Sequence, residues 1–283
     1  METNILKALV NLRKNKEFKL NNIYTGSNKI NNVGDALEYF VRDLFCDSLS
    51  VSSLTKKDRI HSRFISYLGN QNNPPDFIIK NSDAVEVKKV ENVMARSIAL
   101  NSSYPKSKLF RDDTRISSVC RKCDGGNWKE KDIIYTVGSV EKGQLRLLWF
   151  VYGNCYAADR EVYLRVFNKL SREINNIEDV SFSKTAEVAR VNRVDPLGIT
   201  YFRIRGMWGI SSPHQVFGSL TDYRTGMNFA AYCLMPENKY NSFPMRDREK
   251  LESLGVNIED VEIKSPNNPA RYLRAKLISI TKS

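Results

Sequence analysis

The chain has no apolar run approaching the roughly 20 residues that a membrane-spanning helix requires. Its opening, METNILKALVNLRKNKEFKL, is punctuated by charge and is not built like a secretory leader. The expectation is a cytoplasmic protein with no membrane partner. Cysteine is sparse: five residues in 283, an odd count that makes no disulfide framework and suits a reducing compartment. Cys120 and Cys123 form a CxxC, but no second CxxC and no close histidine pair follows to complete a tetrahedral zinc site. Cys155 and Cys233 would have to be brought in by the fold, and the plainer reading is two ordinary cysteines near a loop. Histidine is limited to His61 and His214, neither in a catalytic pattern. There is no internal repeat and no low-complexity tract.

What is present is a globular composition with a strong charge bias. Apolar residues make up 41% and aromatics 10%, enough for a real core in one large domain or two modest ones. Lys and Arg number 44 against 32 Asp and Glu, a formal charge of +12. That favours a polyanionic partner, nucleic acid before an anionic membrane surface. Residues 4 to 13 and 33 to 46 carry helical periodicity. In the second, Val33, Leu37, Phe40, Val41 and Leu44 fall on one arc at about 100° per residue. Residues 47 to 72 are mixed and polar and end in GNQNNPP, a breaker. Two short β-rich runs follow, then DIIYTVGSV and the nearly continuous LRLLWFVYG, which reads as a central strand covered on both faces. AADREVYLRVFNKLSREI is an amphipathic helix. The succession predicts an α/β fold, a mixed sheet flanked by helices. From about residue 178 the texture changes to short strands and loops cut by Pro196, Pro213, Pro236, Pro244, Pro266 and Pro269. Residues 1–178 are therefore expected to form a core and 179–283 its elaborations, either separately or as one continuous domain.

The stretch NPPDFIIKNSDAVEVKKVE, residues 73 to 91, poses the sharpest question. Its two apolar runs are interrupted by Asp76, Glu86 and Lys88. Treated as antiparallel strands joined by the turn-rich NSD, the runs bury best when Phe77 faces Val87 and Ile79 faces Val85. The other face then carries Asp76 opposite Lys88, with Glu86 its diagonal neighbour. Diagonal neighbours lie roughly 7 to 8 Å apart at the backbone, so two short carboxylates can reach one ion between them. Hard oxygen ligands of this kind suit Mg²⁺, which can generate a hydroxide nucleophile and offset charge on a phosphorane-like transition state. Lys88 would orient or help deprotonate the water and stabilise developing negative charge. The alternative is a surface hairpin whose charges are solvated or paired.

These residues resemble a known pattern. PPDFIIK followed by VEVKK is similar to the PD-(D/E)xK motif of the restriction-endonuclease-like nucleases, with Asp76, Glu86 and Lys88 in the motif positions. NNVGDALEYFVRDLF, YLGNQNNPPD, ALNSSYPKSKLF, the CxxC segment and RGMWGISSP extend the likeness to the NgoPII-type group of type II restriction enzymes, over roughly residues 30 to 220. The resemblance implies a restriction-endonuclease-like core, a homodimer, Mg²⁺, and cleavage of double-stranded DNA at a short palindrome, GGCC in the group's namesake. It also implies a role at the metal site for Glu38, which could otherwise simply pair with Arg42. For DNA contact, Asn101, Ser102, Ser103, Lys106 and Lys108 follow the catalytic strand and offer donors near a phosphate. Residues 179–283 are expected to supply DNA-recognition loops and dimer contacts, and among them Arg190, Asn192, Arg193, Asp195, Arg203 and Arg205 are candidates for reading G·C base edges. Arg203 and Arg205 alternate along a strand and so share a face. The rival functions are a superfamily nuclease for branched or damaged DNA, and a nucleic-acid-binding module without chemistry.

Overall fold

The structure, a computed structural model, describes residues 2–20, 33–70, 73–100, 103–178, 180–185, 187–224 and 226–282. Asn4 opens helix α1 (Ile5–Lys14) by accepting a hydrogen bond from the Lys7 N–H. The apolar arc at 33–46 becomes α2 (Val33–Cys46), and Ser53 caps α3 (Leu54–Phe64). α1 and α2 pack on one face of a mixed sheet and share a core with it, through Leu9, Leu37, Phe40 and Leu44.

The path across that sheet is β1 (Ile65–Asn70), β2 (Asn73–Ile79), β3 (Ala84–Val90), β6 (Glu130–Glu141), β7 (Gln144–Tyr152), β12 (Phe229–Pro236), β14 (Asn268–Lys282) and β13 (Asn257–Ser265). β5 (Lys108–Phe110) adds to the start of β6. β3 with β6 and β7 with β12 are parallel pairs and the remaining neighbours are antiparallel, so the expected mixed sheet is present. β7 is buried from Leu147 to Tyr152, which is why its sequence is apolar at consecutive positions and not at alternate ones. Residues 229–282 supply three strands of the sheet, so the core runs across residue 178.

Two smaller ribbons sit apart from the main sheet. β4 (Ser97–Ala99) pairs with β11 (Gly209–Ser211), and β8 (Ser181–Phe182), β9 (Ala189–Asn192) and β10 (Tyr201–Ile204) form a three-stranded sheet. The remaining helices are α4 (Ser118–Lys122), α5 (Gly153–Tyr156), α6 (Arg160–Asn175), α7 (Pro213–Phe217), α8 (Glu237–Ser242) and α9 (Met245–Glu252).

Two glycines set close approaches around the β2–β3 hairpin. A Cβ at Gly138 on β6 would stand 2.7 Å from Leu37 of α2, so the bare backbone lets that helix settle onto the sheet. A Cβ at Gly69 would lie 2.7 Å from the Asn73 carbonyl oxygen, so β1 can cross the start of β2 only without a side chain there.

Candidate active site

The hairpin forms, but in a register two residues away from the expected one. Phe77 pairs with Val85 and Ile78 with Ala84. The turn is Lys80 to Ser82, and Asp83 closes it just before β3, its carbonyl accepting from the Ile79 N–H at 3.0 Å. The reason is the fate of the Asp83 side chain. It is no turn carboxylate but a buried one, held by Lys239 Nζ and by the Tyr152 hydroxyl, each at 2.7 Å. Because the shift is even, every side chain keeps its face. Phe77, Ile79, Val85 and Val87 all enter the core under α2, and burying each contributes roughly 1.5–3 kcal/mol. Beyond Phe77 the strands part. Asp76 Oδ2 accepts from the Val87 N–H at 2.6 Å, so a carboxylate takes a donor that a continued ladder would have used.

Asp76, Glu86 and Lys88 form one electrostatic cluster. Lys88 Nζ meets Glu86 Oε1 at 2.6 Å. Burial, and then the charge of Glu86, push the Asp76 carboxyl up to about 8, with Lys88 opposing. Burial pulls the Lys88 ammonium down, but Glu86, Asp76 and Glu38 outweigh it and hold the group above its ordinary value. Lys88 is therefore a cation at neutral pH. Glu38 on α2 pairs with Arg42 at 3.4 Å, as the i, i+4 spacing allows. Burial raises its carboxyl, Arg42 opposes, and both Glu86 and Lys88 act on it. Thus Glu38 lies within electrostatic reach of the hairpin charges while keeping its helical ion pair.

The donor set fits a hard divalent cation. Glu86 Oε2 is buried with no hydrogen-bond partner, an expensive state for a carboxylate oxygen unless something binds it. Two carboxylates are what Mg²⁺ commonly takes from a protein, the rest of its shell being water and phosphate oxygens. Among the described residues no group of three or more His, Cys, Asp or Glu side chains is placed to hold a metal ion. Cys120 and Cys123 are buried in the core on the far face of the sheet, and burial pushes the Cys120 thiol up to about 12 and raises that of Cys123.

Beside Glu86 lies a cavity of about 10 Å³ lined by Pro74, Ser103, Tyr104, Lys106 and Tyr135, room for a single water. Lys106, expected either to meet a phosphate or to be solvated, is buried. It is 3% exposed, its Nζ bonds Asp113 at 2.5 Å and lies 3.9 Å from the Tyr104 ring centroid. A Cβ at Gly153 would collide with the Lys106 and Ser107 carbonyl oxygens, so that glycine lets the segment press inward. Ser103 lines the cavity, Lys108 pairs with Glu130 across the β5–β6 edge, and Asn101 and Ser102 lie outside the described residues.

The later candidates gather on the small sheet. Arg203 and Arg205 do share a side, and both bond Glu187, at 2.8 and 2.7 Å through their Nε atoms, while remaining exposed. Arg190 stacks its guanidinium 4.2 Å from the Tyr201 ring centroid, and its Nε is buried without a partner. Asn192 pairs with Tyr201 in the strand ladder, and Arg193 enters the following turn at φ +50°. Asp195 accepts from the Leu197 and Thr200 N–H groups, and together with the Thr200 hydroxyl these hold its carboxyl near 2. Asp195 thus closes its own loop. Sequence reasoning missed Asp83, Tyr152, Lys239 and Asp113. No local signal marks Lys239 as the partner of Asp83, since they stand 156 positions apart.

Residues 3–266 match the family described as NgoPII restriction endonuclease. The type II restriction enzyme NgoPII of Neisseria gonorrhoeae is 44% identical over 278 residues, covering 98% of this chain and 99% of that protein. No solved structure matches the chain.

Proposed function

The chain belongs to the NgoPII restriction endonuclease family, and on that premise we propose that it is a Mg²⁺-dependent homodimer cutting double-stranded DNA at a short GC-rich palindrome of the GGCC kind. Its activity is that of a type II restriction enzyme, a site-specific deoxyribonuclease. The reading of a binding module without chemistry is thereby set aside. The family carries the activity. The observation that carries the site is the buried, partnerless Oε2 of Glu86 beside Asp76.

Asp76 and Glu86 would hold the ion, which when bound supplies Lewis-acid charge at the scissile phosphate and an acidified water. The chain's own residues do the positioning. The Val87 N–H fixes one oxygen of Asp76, and Lys88 fixes one oxygen of Glu86. Lys88, kept cationic by the carboxylates around it, orients the attacking water and offsets charge on the phosphoryl oxygens, roles for which a deprotonated amine is not needed. Glu38, on α2, acts on the site through its charge, within electrostatic reach of Glu86 and Lys88. Arg190, Arg203 and Arg205 contact DNA from the small sheet, a placement supported by their exposed or aromatic-stacked guanidinium groups. The charge of +12 and the reducing-compartment cysteines support action on DNA in the cytoplasm.

The test is a pair of variants, Glu86→Ala and Lys88→Ala. Both should retain duplex binding in a gel shift with Ca²⁺ and lose cleavage of a plasmid with Mg²⁺. Sequencing the fragment ends made by the unaltered protein gives site and cut position. Full cutting by either variant would remove these residues from the mechanism while leaving the family assignment standing.

A further inference from the structure

Eleven of the seventeen large apolar side chains exposed among the described residues lie between Val162 and Met207. Such clustering is not how apolar residues scatter over a monomer's surface. Within it α6 carries a regular feature. Val162, Val166 and Leu170 stand at i, i+4 and i+8 and are 41%, 43% and 54% exposed, and no residue of this helix is buried. Its other apolar side, with Leu164 and Phe167, faces a cavity shared with Tyr104, Arg115 and Trp208. α6 therefore has two apolar sides, and the chain itself uses one.

We propose that the outer ridge of α6 is the subunit interface, packed against α6 of a second copy in antiparallel fashion about a two-fold axis. The inference rests on the homodimer reading above and adds where the two copies meet. An i, i+4, i+8 ridge is the kind that interdigitates with its own copy in helix packing, and a two-fold contact requires a self-complementary patch. Two of the bordering charges, Arg165 and Glu173, meet that requirement, while Lys169 at the axis faces its own copy. Arg165, Lys169 and Glu173 are exposed along one border of the ridge. In an antiparallel pair like borders face each other, so a pairing centred near Lys169 sets Arg165 of one protomer against Glu173 of its partner, and symmetry repeats the contact. A nucleic acid is the less suitable occupant, because a Val and Leu ridge offers phosphates no donor and Glu173 repels them. The position is apt for an enzyme that needs two sites on one duplex. The Tyr163 ring stacks on Tyr104 at 5.8 Å, and Tyr104 lines the cavity beside Glu86.

Sedimentation of the full chain at a series of concentrations tests this. The unaltered protein should be dimeric, and Val166→Asp or Arg165→Glu should each raise the dimer dissociation constant by about tenfold or more. The combined Arg165→Glu and Glu173→Arg exchange should bring it back to within about threefold of the starting value. Circular dichroism accompanies each variant, and the charge exchange decides the matter should Val166→Asp unfold. A dimer indifferent to Val166→Asp, or an exchange that fails to restore association, overturns this interface and leaves the homodimer in place. A chain that stays monomeric both free and on DNA overturns the homodimer and the interface together. Lost duplex affinity with an unchanged dimer would assign the ridge to DNA and equally overturn the proposal.

Discussion

Asp76 and Glu86 are largely buried within the field of one ammonium, which is ion-paired to Glu86, and the cost shows in the raised Asp76 carboxyl and the partnerless Glu86 Oε2. Glu38 stands one layer away, and its contribution is open to direct measurement. Glu38→Gln keeps the size of the side chain and removes its charge. Supporting residues of a metal site typically cost ten- to a hundredfold when lost, so the cleavage rate should fall by about that factor. The pair with Arg42 is partly buried, and burial already raises the Glu38 carboxyl above its ordinary value, so its charge adds little net stability and the melting temperature should hardly move. A cleavage rate equal to that of the unaltered enzyme would confine Glu38 to its ion pair. The hairpin charges were legible in the sequence because each interrupts an apolar alternation that burial otherwise enforces. The burial of Lys106 was not: nothing in ALNSSYPKSKLF distinguishes a solvated lysine from one whose partner, Asp113, arrives from the next loop.

At the scale of elements, α2 could be read directly, since its apolar positions recur with the helical period and the core they meet lies on one side. The β2–β3 turn could not be read to the residue. NSD has turn chemistry, and only the distant Lys239 of α8 and Tyr152 of β7 show that Asp83 is a core residue that shortens the closing side of the loop. α2 and α3 are joined by a comparable buried contact. Asp43 Oδ1 meets His61 Nε2 at 2.8 Å and accepts from the Ser48 hydroxyl at 2.6 Å, while Lys57 bonds its other oxygen. Burial pushes this carboxyl up, but those bonds more than compensate and hold it below its ordinary value of 3.8. A carboxyl whose folded value lies below its unfolded one contributes stability that is complete above the unfolded value. That stability is lost as pH falls through the ordinary carboxylate range to the folded value. Urea unfolding from pH 6 down to pH 3 should therefore show a steeper loss for the unaltered protein than for Asp43→Asn, whose overall stability is lower throughout. Parallel curves for the two proteins would remove Asp43 from the acid sensitivity.

At the scale of the molecule, the composition announced a polyanion-binding protein, and the α/β class followed from the alternation of helix and strand patterns. The place of residues 229–282 within the central sheet did not follow, because strand order is fixed by pairings between β7, β12 and β14 that no local pattern encodes. The charge of +12 has a measurable consequence. Each phosphate contact made by Lys or Arg releases counterions, so the logarithm of duplex affinity, measured with Ca²⁺ in place of Mg²⁺, should fall linearly with the logarithm of salt concentration. Arg203 and Arg205 project from the small sheet and hold Glu187 between them at the exposed edge. If they grip phosphates, replacing both with Ser should reduce the magnitude of the salt slope by about two per protomer, so by about three to four for the homodimer, and weaken all duplexes alike. If they read guanine edges, the cost should fall mainly on the cleavable site, about 1–3 kcal/mol for each lost contact. Because both side chains are exposed, unfolding stability should hardly change in either case. An unchanged slope together with unchanged discrimination would place the DNA away from the small sheet and return these arginines to a purely local role with Glu187.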